Sequence, residues 1–254
     1  MKTLDVLFTP ADFAALKTRK LEDTTCVVFD VFRATSSMVT ALANGAEAII
    51  PVGEIPEALA VKQKNPAVLL AGERDGVRIR GALTGGVDFD LGNSPREFTK
   101  EKVARKTIVM TTTNGTRALR SCAHAKTILI GSFLNLKATA SFVLRTRPEN
   151  LLLICSGTYE QTAYEDALGV GALADLVWSA VDQKQVSDSA KMARELFLMA
   201  SQDLLAAAST SRNGSRLCGI PDLRDDVPFC VRRDVFDFAA ALRNDGLIQK
   251  LAAT

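Results

Sequence analysis

The chain has 254 residues, 47% of them hydrophobic and 24% charged, with a formal net charge of +2. That length suits one large domain or two small ones, and the composition suits a globular protein. So small a charge gives no long-range attraction to nucleic acid, and no apolar run is long enough to cross a bilayer. The start, Met1-Lys2-Thr3-Leu4-Asp5, lacks the apolar core of a secretory signal. Five cysteines (26, 122, 155, 218 and 230) are odd in number, widely spaced and free of any Cys-x-x-Cys pair. They read as reduced core residues of a cytoplasmic protein. The only histidine, His124, reads as a surface loop residue. Acid–base chemistry therefore falls to carboxylates, lysine, hydroxyls or metal-bound water.

In chain order, Leu4 to Phe8 reads as a short strand ended by Thr9-Pro10, and 11–19 as a helix. A strand over 26–29 and a helix over 35–44 follow, closed by the C-cap signal Asn44-Gly45. Ala48–Val52 is a strand, Ile55–Lys64 a helix and Val68–Ala71 a strand. Residues 75–93 carry five glycines and no helical period, so a long loop is expected there. Ser94-Pro95-Arg96-Glu97 has the pattern of a capping box. Thr107–Met110 is a strand whose polar end, 111–117, opens a helix. Strands follow at Ile128–Ile130 and Leu151–Cys155, with a helix from about Leu136 to Leu144 between them. A long amphipathic helix is expected through Trp178, and another helix over 188–208. The tail, 211–254, shows polar turns, an apolar stretch at Val227–Val231 and a helix near Phe236–Leu242.

Strands and helices alternating at this spacing predict βαβ units in a three-layer α/β/α fold with a mainly parallel sheet. The expectation is one α/β domain over 1–254 with no firm boundary, a two-lobed arrangement being the alternative. The sequence strand, hydroxyls, helix recurs at 35–37, 111–116 and 156–158. An internal duplication stays open as its origin.

In open α/β sheets, ligands bind at the C-terminal ends of strands. Asp30 stands at such an end, followed by Arg33, Thr35, Ser36 and Ser37. A helix start there offers amides and partial positive charge to an anion. Thr112, Thr113, Asn114, Gly115, Thr116 and Arg117 supply more hydroxyls and amides than a cap needs, which suits an oxyanion. Ser156, Gly157 and Thr158 repeat the theme. Arg33, Arg74, Arg96 and Arg117 all fall near strand ends or helix starts, with Asn93 beside the last turn of the long loop. Arginine suits bidentate contact with oxyanions. Among the acids, Glu165 is accounted for by a capping box on Thr162, whereas Glu160 and Asp166 have no such explanation. With Asp30 and Glu73 they could supply oxygen ligands to Mg²⁺.

Two patterns are missing. An aspartyl-phosphate enzyme of the haloacid-dehalogenase type wants Asp-x-Asp, but Asp30 is followed by Val31-Phe32. A cysteine phosphatase wants Cys-x5-Arg, and Cys155 lacks both the spacing and the arginine.

The stretches VFDVFRATSSMVTALANGA, LLAGERDG, FDLGNSPREF, TTTNGTRAL and CSGTYEQTAYEDALGVGAL run in order from about residue 26 to 172. Together they resemble the 2-phosphosulfolactate phosphatase family. The tail beyond about 180 carries no matching motif. The resemblance implies a Mg²⁺-dependent phosphoric monoester hydrolase releasing phosphate from 2-phospho-3-sulfolactate, a step toward coenzyme M. Asp30, Glu73 and Glu160 are then the expected catalytic residues, and Asp30, Glu73, Glu160 and Asp166 the expected metal ligands. The strand-end hydroxyls, glycines, Asn93, Asn114 and arginines named above would hold the substrate. The expected partner is a small anionic molecule, with neither nucleic acid nor membrane, and a homodimer is left open. Two other readings stay open: another hydrolase or lyase of a small phosphorylated acid, and a non-catalytic anion sensor.

Overall fold

The computed structural model describes residues 1–16 and 18–252. Its strands are β1 (Thr3–Leu7), β2 (Thr24–Phe29), β3 (Ala48–Pro51), β4 (Leu69–Arg74) and β5 (Val77–Arg78). They continue with β6 (Thr107–Thr111), β7 (Thr127–Gly131), β8 (Asn150–Cys155), β9 (Ala240–Leu242) and β10 (Ile248–Lys250). All ten belong to one sheet in the order β1-β8-β2-β7-β9-β10-β3-β6-β4-β5. The architecture is the α/β class with a mostly parallel sheet that the alternation predicts.

The sheet has two parallel halves. In the first, β1, β8, β2 and β7 pair in parallel. In the second, β3, β6 and β4 do so, with β5 added antiparallel at the edge. The antiparallel hairpin β9–β10 joins them, pairing β7 on one side and β3 on the other. The chain enters the second half at Ala48 and returns to the first at Thr127. The hydroxyl turns at 35–37 and 156–158 belong to the first half, and that at 111–116 to the second.

Every residue of β2 is buried, as parallel strands covered on both faces require. Val27, Phe29, Leu129, Leu151 and Leu153 face the helices Leu136–Thr146, Tyr164–Val177 and Asp188–Ala200. The alternate residues Cys26, Val28, Ile128, Ile130, Leu152 and Ile154 share a second core with Ile49, Ala71, Ile108 and Met110 of the other half. The helices Ala34–Ala43 and Gly115–Ser121 contribute Met38, Val39, Leu42, Ala118 and Leu119 to that shared core. It is this packing that brings the strand ends of both halves to one place.

Five local expectations need correction. The helix ending at Val177 is not amphipathic, because it is buried on nearly every side from Glu165 to Ala174. Gly171 lets it approach its neighbour closely, since a Cβ there would stand 2.0 Å from the carbonyl oxygen of Ala193. The stretch 11–19 forms a 3-10 turn, Pro10–Asp12, and the short helix Phe13–Leu16, with Lys17 outside the described residues. The loop 75–93 holds β5 and the short helix Gly81–Thr84. The helix expected over 188–208 divides into Asp188–Ala200 and Leu204–Ser209, joined by a 3-10 turn. No helix forms near Phe236–Leu242; its apolar end becomes β9, because a short apolar run satisfies either period. The C-cap at Gly45 does form, with φ +92° and a bond from Ala46 N–H to the Ala41 carbonyl at 3.0 Å.

Candidate active site

Asp30 follows β2 and turns its side chain back over the next helix start. Its Oδ1 accepts from Ala34 N–H at 3.0 Å, and its carbonyl accepts from Thr35 N–H at 3.0 Å. The protein's own carboxylate thus occupies the helix end expected to hold a substrate anion. Among the described residues Oδ2 has no hydrogen-bond partner. It faces Gly115, where a Cβ would come within 2.8 Å of it. The hydroxyls of Thr35, Ser36 and Ser37 are fully buried and spent inward. Thr35 donates to the Asp30 carbonyl, Ser36 to the Val31 carbonyl and Ser37 to the Asn93 carbonyl, at 3.0, 3.0 and 2.8 Å. They fix the turn and do not line the cleft, contrary to the sequence expectation.

Glu73, in β4, is buried with both oxygens engaged. Oε2 accepts from Gly76 N–H at 2.7 Å and Oε1 from Thr113 N–H at 2.8 Å. It ties the β4–β5 turn to the polar turn after β6. In that turn Thr112 and Thr116 bond each other, so only Thr113 and Asn114 reach the cleft. Asp166 likewise accepts two backbone N–H bonds, from Val31 at 2.8 Å and Gly157 at 3.1 Å. Beside it, Thr158 Oγ1 accepts from Asn213 Nδ2 at 2.7 Å and lines the cleft. Ser156 is buried, and its hydroxyl has no partner among the described residues.

Glu165 is the acid that sequence reasoning set aside. The helix is capped at Ala163, so no capping box with Thr162 forms. Glu165 is buried instead; Oε1 accepts from Asn213 Nδ2 at 2.6 Å, and Oε2 has no partner among the described residues. So many acids in one low-dielectric region raise each other's affinity for protons. Burial pushes Asp30 up to about 7, against the Ala34 amide bond and with help from the charges of Glu73 and Glu165. Burial also raises Glu165, opposed by Asn213. Asp166 is held well above the usual range by burial, then by the charges of Glu165 and Asp30.

The cleft encloses about 640 Å³, counting space open to solvent. Asp30, Arg33, Glu73, Asn93, Thr113 and Asn114 line it together with Thr158, Asn213 and Arg216. The buried Arg33 donates from Nη1 to Asp226 Oδ2 at 2.7 Å and from Nη2 to the Gly76 carbonyl at 2.8 Å. Asp226, itself fully buried, also accepts from Ser94 Oγ at 2.6 Å and Arg96 Nε at 2.9 Å. Ser94 is therefore committed to Asp226 and forms no capping box; Glu97 accepts from Gly92 N–H instead.

Three expected site residues lie elsewhere. Arg74 turns away from the cleft, onto the Glu73 carbonyl and Thr111 Oγ1. Arg117 and Glu160 pair with each other at 2.5 Å, half exposed, along a separate groove with Phe13 and His124. Among the described residues no three Asp, Glu, His or Cys side chains converge as a ready cation cage. Sequence reasoning missed Glu165, Asn213, Arg216 and Asp226. The adjacent acids Glu165-Asp166 at a helix start were the only local signal.

Residues 12–245 match the family described as 2-phosphosulpholactate phosphatase, which is a family of phosphoric monoester hydrolases. A relative from Caldicellulosiruptor saccharolyticus, named probable 2-phosphosulfolactate phosphatase, is 37% identical over 228 residues, 88% of this chain and 91% of its own. One of the same name from Thermotoga petrophila is 39% identical over 230 residues, covering 91% of this chain and 94% of its own. The chain belongs to the 2-phosphosulfolactate phosphatase family. The match includes Asn213, Arg216 and Asp226, so it extends through a tail in which sequence reasoning found no motif. No helix among the described residues is long and apolar enough to cross a membrane.

Proposed function

We propose that the protein is a Mg²⁺-dependent phosphatase that hydrolyses 2-phospho-3-sulfolactate to 3-sulfolactate and phosphate. The observation that carries this reading is Asp30, whose Oδ2 has no hydrogen-bond partner among the described residues, in the lining of a cleft bordered by hydroxyls, amides and guanidinium groups. The donor set fits Mg²⁺, which takes oxygen ligands, commonly one or two carboxylates with waters and substrate phosphate. Asp30 Oδ2 would hold it. Glu165 Oε2 and Asn93 Oδ1, both buried and without partners among the described residues, are further oxygens the site could supply. Glu73 and Asp166 are occupied by backbone amides and serve to fix the turns around the site. A bound Mg²⁺ would neutralise phosphoryl oxygens and lower the pKa of an attacking water.

The chain's own residues do the positioning. Thr158 accepts from Asn213, so its hydroxyl proton is free to donate to a phosphoryl oxygen. Thr113 and Asn114 add polar contacts from the other half of the sheet. Arg33, held by Asp226, keeps its remaining N–H groups for an oxyanion. In the reaction a water oxygen would bond to phosphorus and give up a proton, the bond between phosphorus and the ester oxygen would break, and that oxygen, left on C2, would take a proton. Asp30 is assigned as a metal ligand and not as the nucleophile. A carboxylate nucleophile needs a partner acid, and Phe32 stands where one is expected.

The test is phosphate release from 2-phospho-3-sulfolactate with Mg²⁺ and after exhaustive chelation. Turnover that requires the cation supports the reading. Full turnover in EDTA with no metal by elemental analysis overturns the metal dependence. No release with Mg²⁺ overturns the substrate. A phosphorylated Asp30, found by acid quench and peptide mass mapping, overturns its assignment as a ligand.

A further inference from the structure

Two arginines from distant parts of the chain meet at two successive carbonyls of the β4–β5 turn. Arg33 donates to the Gly76 carbonyl at 2.8 Å, and Arg216, from the helix Arg212–Cys218, donates to the Asp75 carbonyl. The guanidinium of Arg216 lies over Gly76, with its Cζ 3.6 Å from where a Cβ would stand, and Gly76 has φ +75°. A larger residue there would be strained and would crowd the guanidinium.

The two arginines differ in charge balance. Arg33 is buried and neutralised by Asp226. Arg216 is exposed, lines the cleft, and has no carboxylate within ion-pair distance among the described residues. Asp75 also lines the cleft, but its carboxylate is turned toward the Tyr159 hydroxyl at 3.4 Å. Arg216 is therefore the cleft guanidinium whose charge the protein leaves uncompensated. A planar guanidinium of this kind matches the paired oxygens of a sulfonate or carboxylate.

We propose that Arg216 is a specificity-determining residue that binds the acid group the substrate carries in addition to its phosphate, a sulfonate or a carboxylate. This rests on the activity proposed above. It makes the helix Arg212–Cys218 the element that separates phosphorylated small acids from phosphate esters with neutral tails.

The experiment compares kcat/KM for wild type, Arg216→Ala and Arg216→Lys on four esters. These are 2-phospho-3-sulfolactate, 2-phospholactate (carboxylate only), the phosphate ester of isethionate (sulfonate only) and isopropyl phosphate (neutral tail). For Arg216→Ala, the ratio of kcat/KM between the best acid-bearing ester and isopropyl phosphate should fall roughly 10- to 150-fold, mainly through KM. Arg216→Lys should restore part of that ratio. The single-acid ester that shows the same fall identifies the group bound. An unchanged ratio overturns the proposal. An equal loss on all four esters does so as well, because Arg216 would then only brace the turn. If wild type released phosphate from isopropyl phosphate but from no acid-bearing ester, the activity reading would fail first and take this one with it.

Discussion

Replacing Asp226 with alanine removes one carboxylate and strands two arginines. Asp226 has no solvent exposure and the Arg33 side chain only 4%, so Arg33 would be left as a buried charge without its partner. Breaking a buried pair from one side costs about 3–5 kcal/mol. Arg96 is about a third exposed and can turn to water, so its share is no more than about 1 kcal/mol. For a chain of this size the sum lowers the unfolding temperature by about 6–24 °C. Urea unfolding and calorimetry would measure it. Asp226→Asn, which keeps the shape and one acceptor oxygen, should fall between wild type and alanine. The decisive comparison adds Arg33→Met to Asp226→Ala. Removing the stranded charge should recover part of the loss, because the cost lies in the unpaired ion more than in the lost contacts. A double variant no more stable than Asp226→Ala, or a single variant within about 2 °C of wild type, would refute the reasoning.

Two other outcomes follow from the electrostatics. Asp30 binds its proton more tightly folded, at about 7, than in an unfolded chain. Its stabilising contribution is therefore complete below about pH 4 and lost as pH rises toward 7. In chelated protein, the fall in unfolding temperature between about pH 5.5 and pH 8 should be steeper for wild type than for Asp30→Asn, and equal slopes would contradict it. On the proposed assignment of Asp30 as a ligand, Mg²⁺ would compete with that proton, so its stabilising shift should be larger at the higher pH. The second outcome concerns the surface pair Arg117–Glu160, both half exposed and outside the cleft. Alanine at either position should change stability by no more than about 1 kcal/mol and leave kcat/KM within about twofold, and a tenfold loss would return them to the site.

The fold was largely legible because buried parallel strands write themselves as short apolar runs, and 26–29, the core of β2, could hardly be anything else. Asp30 was legible for a related reason: an acid at the end of such a run is conspicuous. The hydroxyls after it were misassigned because sequence does not say which way a side chain turns. Thr35, Ser36 and Ser37 all turn to backbone carbonyls of the turn and of Asn93. Glu165 was hidden by a sound local rule, since Thr162 stands where a capping hydroxyl would. Tertiary packing placed the cap one residue later and drove Glu165 inward. Asp226, Asn213 and Arg216 had no local signal at all. Their roles exist only across separations of 48 to 193 residues, as with Asn213 to Glu165 and Arg33 to Asp226.

The hairpin β9–β10 also bears on how the chain is made. β3 and β7 are interior strands only because the hairpin pairs them, through Ile248 with Ile49 and Leu242 with Ile128. On the ribosome, which adds about 5–20 residues per second, both strands emerge long before it does. Until Ala240 to Lys250 appear, each half presents a bare edge of unpaired backbone groups, the surface on which nascent chains pair with each other. A nascent chain stalled short of residue 240 therefore carries two sticky margins, and its release from the ribosome becomes a question of quality control more than of catalysis.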